Sequence, residues 1–424
     1  MATVTLLQQT DMNAFVESGS SAGFVLPTEI QVATGDSQAW LYGTFGDSGG
    51  DTIGTVTMAL FDTTDQSTGP NLQITNISKA VIVSFPTVGY WLSTLLLDGN
   101  DTVLGSQFSD SLKGFDGNDT LVGGAGGDIL VGGTGTDTAS YATAAAAVVV
   151  VMEATSSNTG DALGDSYNSI ENLAGSAFND VLYGTTNIAN VLNGAAGNDI
   201  LVGRGGADRF IGGAGLDTVS YDSSFVGVRA DFLTPSVNTG NAAGNTYSSI
   251  ENLDGSSLSD TLLGNNSANT IRGSSYATLA SGNDGLYGRG GADKLFGFDG
   301  NDTLEGGTGQ DIATGGAGND VFLFRSALIA ANRDRITDFN VANDTIRIDN
   351  AVFTKLTGVN VTLSSAQFHK GSGAHDTSDR IIYNSANGAL LYDADGNTAG
   401  GVAAIQFATL NAGLAITRAD FFIV

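Results

Sequence analysis

Asp101, Asp110, Asp119, Asp128 and Asp137 stand nine residues apart without a slip. The same phase returns at Asp199, Asp208 and Asp217, with Asp180 a further candidate before them, and again at Asp284, Asp293, Asp302, Asp311 and Asp320. The surroundings of the aspartates repeat, as in Gly123-Gly124-Ala125-Gly126-Gly127-Asp128-Ile129-Leu130. The unit reads Gly-Gly-x-Gly-x-Asp-x-U-x, where U is a large aliphatic residue. Its six-residue part needs tight turns with positive φ, which glycine supplies cheaply. The three residues left over make a short strand that points one apolar side chain inward. Two such units complete one coil, so like turns lie above each other and the Asp carboxylates form columns about 4.7–4.9 Å apart. At an effective dielectric of about 20, two bare charges at that spacing repel by roughly 3–4 kcal/mol. Calcium removes the difficulty, because it takes about six to eight oxygens in flexible geometry and successive turns offer carboxylates and carbonyls. Ordinary Asp-Gly turns would not require Asp at one fixed phase.

The elements that must position these carboxylates follow. The expected fold is all-β: a parallel β-roll, a Gly/Asp solenoid, over residues 96–321, with a small β domain at 1–95 and a β cap at 322–424. The carbonyl and turn positions of the roll are assigned to Gly117, Gly124, Gly126, Gly133, Gly135, Gly197, Gly213, Gly215, Gly300, Gly307, Gly309, Gly316 and Gly318. With the fourteen aspartates they are the candidate metal ligands, and pairing loops two units apart on the same edge gives roughly eight Ca²⁺ ions. A longer repeat overlies the short one. Asp137-Thr138-Ala139-Ser140-Tyr141 matches Asp217-Thr218-Val219-Ser220-Tyr221, and Ile170-Glu171-Asn172-Leu173 matches Ile250-Glu251-Asn252-Leu253. Asp180 likewise matches Asp260, so 137–184 and 217–264 are one module duplicated at an offset of 80 residues. Fixed-period self-similarity marks a solenoid. Before residue 95, β-prone runs such as Ala39-Trp40-Leu41-Tyr42, Gly54-Thr55-Val56-Thr57-Met58 and Ala80-Val81-Ile82-Val83 alternate with turns, as in a small antiparallel domain.

These residues resemble the RTX (repeats-in-toxin) family, whose calcium-binding nonapeptide has this pattern. Residues 322–424 resemble the C-terminal domain that follows such repeats in serralysin-type secreted proteases. The likeness lies in Asp334-Arg335-Ile336-Thr337-Asp338-Phe339, Asp344-Thr345-Ile346, Asp379-Arg380-Ile381-Ile382-Tyr383 and Leu391-Tyr392-Asp393-Ala394-Asp395-Gly396. The sequence Asp420-Phe421-Phe422-Ile423-Val424 resembles the acidic-plus-hydrophobic terminus read by type I exporters. The resemblance implies export in one step, unfolded and calcium-free, from a Gram-negative cytoplasm. Its partners are then calcium ions and, during export, the type I secretion machinery. Segments 142–176 and 222–256 depart from the nonapeptide, and Asn190 and Asn269 stand where Asp is expected, so calcium is weaker or missing there. Val148-Val149-Val150-Val151 suggests metal-free coils that continue the stack.

Other chemistries fail on their residues. The chain has two histidines, His369 and His375, and no His-Glu-x-x-His zinc helix, so a protease of the serralysin kind is excluded; the pair reads as surface residues. Gly46-Asp47-Ser48-Gly49-Gly50 and Gly19-Ser20-Ser21-Ala22-Gly23 fit nucleophile signatures, but no histidine base precedes residue 369. They read as Ser/Gly turns. There is no Gly-Lys pair and hence no P-loop. Asp393-Ala394-Asp395-Gly396-Asn397 places its glycine too early for an EF-hand and reads as a hairpin turn, with an extra calcium site the alternative.

Composition sets the context. With 44 acidic against 16 basic residues the formal charge is −28, which repels nucleic acid and favours divalent cations. Without cysteine, neither disulfides nor thiolate metal sites can form. The longest apolar run, 144–152, is too short to span a membrane as a helix, and the first basic residue is Lys79, too late for a secretory leader. The expectation is a non-catalytic calcium-binding protein, extracellular and secreted without a cleaved N-terminal signal, that meets a cell-surface or matrix partner. The alternatives are a self-assembling surface-layer or fibre subunit and an enzyme with an unfamiliar site in residues 1–95.

Overall fold

The computed structural model describes residues 99–105, 107–275, 282–399 and 401–424, together with four strands between residues 29 and 75. The chain divides into two compact units. One holds the described residues up to 185 with 190–199 and 213–215; the other holds 186–189, 200–212 and 216–424.

In the first unit, strands Glu29–Thr34, Ser37–Gly43, Val56–Phe61 and Leu72–Thr75 pair antiparallel in sequence order, and the last pairs antiparallel with Thr102–Leu104. From there the pairing becomes parallel. Thr102–Leu104 is followed by Thr120–Val122, Thr138–Ser140, Asn172–Ala174 and Val191–Ala196. Ser111–Asp116, Ile129–Thr134 and Ser166–Asn168 form a second parallel ladder. Each nonapeptide supplies one strand, and alternate nonapeptides supply alternate ladders. The U residues stack inside: Val103, Leu121, Ala139, Leu173 and Leu192 from one ladder, Leu112 and Leu130 from the other, all buried. Val149–Val151 pairs parallel with Val181–Tyr183, so the valine run is one more coil of the stack, as expected. The run Ala80–Val83 and both nucleophile-like glycine-serine segments lie outside the described residues.

The second unit repeats this arrangement over a longer distance. Ile200–Val202, Thr218–Ser220, Asn252–Asp254, Thr270–Arg272, Lys294–Asp299, Ile312–Ala317 and Asp334–Ile336 run parallel in one sheet. Arg229–Asp231, Thr261–Leu263, Gly285–Gly290, Thr303–Thr308, Val321–Phe324, Thr345–Ile348 and Phe421–Ile423 run parallel in another. Parallel stacking therefore continues past residue 321, through strands that carry no nonapeptide. Beyond Thr345–Ile348 antiparallel pairs appear, Val361–Thr362 with Phe421–Ile423 and then Ile381–Asn384, Ala389–Tyr392 and Ile405–Thr409 in turn. Aromatic packing replaces the single aliphatic there: Phe353 meets Tyr392 and Phe407 edge-on at 5.2 and 5.1 Å, and Phe407 meets Phe324 at 5.1 Å.

Close stacking of the turns explains the glycine. Gly309 has φ +142°, and a Cβ there would collide with the Gly291 carbonyl oxygen one coil away. Gly373, by contrast, has open space around it. Gly309→Ala is expected to cost roughly 1–3 kcal/mol from the backbone alone and more from lost stacking, whereas Gly373→Ala should be near neutral. Thermal melts of both variants in saturating calcium check this.

Candidate calcium sites

The aspartates of the repeat are tied to one another through the backbone. Asp101 N–H donates to Asp119 Oδ1, Asp119 N–H to Asp137 Oδ1, and Asp137 N–H to Glu171 Oε2, each at 2.8 Å. On the opposite edge Asp110 donates to Asp128 and Asp128 to Asp165, also at 2.8 Å. Asp180 donates to Asp199 at 2.8 Å. In the second unit Asp208 donates to Asn245 and Asp217 to Glu251. Two further columns run there: Asp260, Asp284, Asp302, Asp320 and Asp344, with rungs of 2.8–3.0 Å, and Asn269, Asp293, Asp311 and Asp334, with rungs of 2.7–3.1 Å.

Each rung uses one carboxylate oxygen, and it leaves the other facing inward. The Oδ2 atoms of Asp119, Asp128, Asp137, Asp293, Asp302, Asp311 and Asp320, and both oxygens of Asp101, are buried with no hydrogen-bond partner. A Cβ added to Gly297 would collide with Asp302 Oδ2 and lie 2.5 Å from the Gly315 carbonyl oxygen. At Gly288 the same place is flanked by Asp293 Oδ2 and, at 2.5 Å, the Gly306 carbonyl; at Gly114 by Asp119 Oδ2 and, at 2.7 Å, the Gly132 carbonyl. Carboxylate and carbonyl oxygens thus converge with no donor between them. That is the donor set of a hard cation, and it fits calcium. The ligands would be these carboxylates and the carbonyls of Gly132, Gly306, Gly315 and their equivalents; the ion would supply the positive charge that lets the column ionise.

Electrostatics agree with that reading. Burial pushes Asp128, Asp293 and Asp302 up to about 7, with like charges one coil away adding to the rise and the rung hydrogen bond opposing it. Burial and Asp119 push Asp101 up to about 6, and burial does the same to Asp320. Asp334 rises to about 8, from burial and then from Asp311.

The expected ligands are not all alike. Every glycine singled out in the sequence has positive φ. Asp199, Asp208, Asp217 and Asp284 are buried on their rungs, and Asp110 is half-buried at the start of its own. Asp180 differs from the expectation: its Oδ1 accepts from Val148 N–H, and its Oδ2 accepts from the backbone N–H and hydroxyl of Ser176. Its carboxylate is filled by protein donors, as is that of its counterpart Asp260 with Val228 and Ser256. Asn190 and Asn269 are filled too. Asn190 accepts from Thr185 N–H and donates to the Glu171 carbonyl, and Asn269 accepts from Asn265 N–H and donates to the Glu251 carbonyl. Asp165 ends its column by accepting from Tyr141 O–H at 2.7 Å. Asp344 ends another by accepting from Asn340 N–H at 2.8 Å.

Several rung residues escaped the sequence pattern. Glu171, Glu251, Asp165, Asn245, Asp334 and Asp344 accept rung bonds at separations of 37, 34, 24 or 23 residues instead of 18. The duplicated Ile-Glu-Asn-Leu was the available signal for the two glutamates. The first glycine of most units, such as Gly114, Gly288 and Gly297, was also passed over, although it stands five residues before its Asp. One joint carries a cation of its own. Arg289, at the second glycine position with φ +76°, donates to both oxygens of buried Asp231 at 2.7 and 2.8 Å and to the Gly264 carbonyl at 3.0 Å. Burial raises Asp231, yet the Arg289 bonds and the Thr234 and Leu233 backbone donors leave its pKa lowered.

Residues 97–130, 105–139, 167–187, 185–219, 254–275, 280–297 and 296–324 match the RTX calcium-binding nonapeptide repeat. These segments are RTX repeats. The RTX roll described above is thus recognisable from both geometry and sequence, and calcium is its ligand. No curated protein matches the chain. Among solved structures, similarity is found to a subunit of the mannuronan C5-epimerase from Azotobacter vinelandii, at 23% identity over 39% of this chain and 77% of that one, with a TM-score of 0.21. An extracellular lipase from Serratia marcescens is matched at 19% identity over 60% of this chain and 40% of its own, with a TM-score of 0.24. The assignment rests on the repeat and on the carboxylate geometry.

Two expectations follow. The raised carboxylates bind protons more tightly folded than unfolded, so the metal-free RTX roll gains stability below pH 4, keeps part of it to about pH 6 and loses it as pH rises through about 7. Circular dichroism in chelator should therefore show more β structure at pH 5 than at pH 7.5, while the calcium midpoint rises on acidification. Secondly, Arg289→Met should leave buried Asp231 with only the more distant, part-exposed Arg229, at 3.7 Å, as its cation and cost up to about 3 kcal/mol, not recovered by added calcium. Arg325→Met, which breaks a half-exposed pair with Glu305, should cost under about 1 kcal/mol. Melts in saturating calcium compare the two.

Proposed function

We propose that this is a secreted, non-catalytic protein that folds on calcium outside the cell and serves as an interaction or matrix component. The observation that carries the reading is the row of buried, partnerless carboxylate oxygens at Asp101, Asp119, Asp128, Asp137, Asp293, Asp302, Asp311 and Asp320. A roll that buries about one aliphatic per half coil offsets its backbone entropy poorly, and buried carboxylates oppose folding until an ion binds. Metal affinity is then folding free energy. A calcium-poor cytoplasm keeps such a chain unfolded, as type I export requires, and calcium outside folds it. The last strand, Phe421–Ile423, is packed into the second sheet with Phe421 and Ile423 buried, so an export signal here would be legible only in the unfolded chain. Roughly eight ions per chain, less the Asp180 pair, is the expected load. No helix among the described residues is long and apolar enough to cross a membrane.

Self-assembly is favoured by one observation: Phe225 is 95% exposed, with Val226 and Leu233 also exposed close by in sequence. A calcium titration of the chelator-stripped chain at neutral pH tests the proposal. Circular dichroism should pass from largely unfolded to β-rich with a midpoint of about 10⁻⁴–10⁻³ M, and magnesium should substitute poorly. Equal β content in chelator would overturn it. Sedimentation velocity of the calcium form then separates a monomeric interaction protein from an assembling subunit.

A further inference from the structure

The two histidines of the chain, six residues apart in sequence, come together in space. His369 lies on strand Phe368–Lys370, and the loop after it folds back so that the His375 ring stacks on the His369 ring, 5.5 Å between centroids and 17° between planes. Two aspartates join them. His375, Asp376 and Asp379 each offer a ligand atom within 4.8 Å of the others. His369 Nδ1 stands 4.0 Å from Asp379 Oδ2, and His375 Nδ1 3.8 Å from Asp376 Oδ2.

The framework beneath these groups is fixed. Asp379 is buried, its Oδ2 held by the backbone N–H groups of His375 and Asp376 at 2.6 and 2.9 Å. Asn397 pins the loop from the other side, donating its side chain to the His375 carbonyl and its N–H to the Asp376 carbonyl. The His375 side chain is 74% exposed; that of Asp376 is 55% exposed, its Oδ1 accepting from the Ser378 N–H and O–H and its Oδ2 left beside His375. Gly371 leaves His369 Nε2 uncovered; a Cβ at 371 would lie 2.5 Å from it.

Imidazole and carboxylate together suit a borderline divalent ion such as zinc, which takes four ligands of nitrogen and oxygen. Calcium takes oxygen alone and has no use for imidazole. We propose that His369, His375, Asp376 and Asp379 form a site for a divalent transition-metal ion, with zinc the ion of choice, separate in place and chemistry from the RTX columns. It would tie the 371–379 loop to the strand that begins it.

Isothermal titration of zinc into the full chain, held folded in saturating calcium, tests this. One zinc per chain is expected, undisturbed by a tenfold increase in calcium. Cobalt at the same site should give visible d–d absorption that zinc abolishes. His375→Asn, at an exposed position, should weaken zinc at least about tenfold while leaving the calcium-induced circular dichroism unchanged; His369→Gln should do the same. No zinc uptake, uptake unaffected by His375→Asn, or zinc displaced by calcium would each overturn the proposal. None of these outcomes bears on calcium-dependent folding, which is read separately.

Discussion

The whole roll depends on one hydrogen bond repeated coil after coil, from the backbone N–H of one aspartate to the Oδ1 of the next aspartate in its column. It fixes the carboxylate at the height of the turn and rotates it so that Oδ2 faces inward. At Asp302 and Asp320 the bond recurs at 2.9 and 3.0 Å. A carboxylate so held cannot turn to water, and its free oxygen lies where neighbouring turn carbonyls also point. The geometry that gives the roll its register is thus the geometry that makes it costly without a cation. In the proposed function, folding and calcium binding are coupled through that shared bond.

Because the bond concerns a backbone N–H, it tolerates any acceptor that reaches it. Glu171 and Glu251 take the rung through a longer side chain, and Asn245 takes it through an amide. What varies is the second polar atom. Where it is an orphaned Oδ2, a metal ion completes the site; where Ser176, Ser256, Tyr141 or Asn340 donates to it, the protein completes the site itself. Arg289 extends the same logic by bringing a fixed guanidinium to Asp231 and the Gly264 carbonyl, beside the loop in which Asn269 replaces the usual aspartate. The duplicated module therefore alternates calcium-dependent joints with joints satisfied by side chains. Such joints let a solenoid gain nearest-neighbour stability without a metal ion at every step.

The C-terminal region continues the stack and then ends it. Asp334 and Asp344 receive the last rungs, and strands Thr345–Ile348 and Phe421–Ile423 extend the second sheet. Beyond them, Phe324, Phe353, Tyr392 and Phe407 form an aromatic core wider than one aliphatic per coil can make. This cap is held by ordinary apolar burial.

Much of this was legible in the sequence because a regular coil has a fixed length. An 18-residue coil forces Asp, Gly and the aliphatic residue to recur in phase, and that phase alone determined the parallel roll, inward residues such as Val103 and Leu121, the carboxylate columns and the calcium chemistry. Composition determined the cation preference, since charge sums regardless of fold. Tertiary structure decided the rest. Which aspartates keep an orphaned oxygen depends on donors such as Ser176, four residues away, or Tyr141, twenty-four residues away, whose approach no period encodes. Glu171, Asp334 and Asp344 join the columns only because insertions of different length loop out and return the chain to register. Arg289 finds Asp231 across 58 residues, and His369 meets His375 only when their loop folds back on its strand. Periodicity reports contacts whose sequence separation is constant; contacts made at variable separation are fixed by packing.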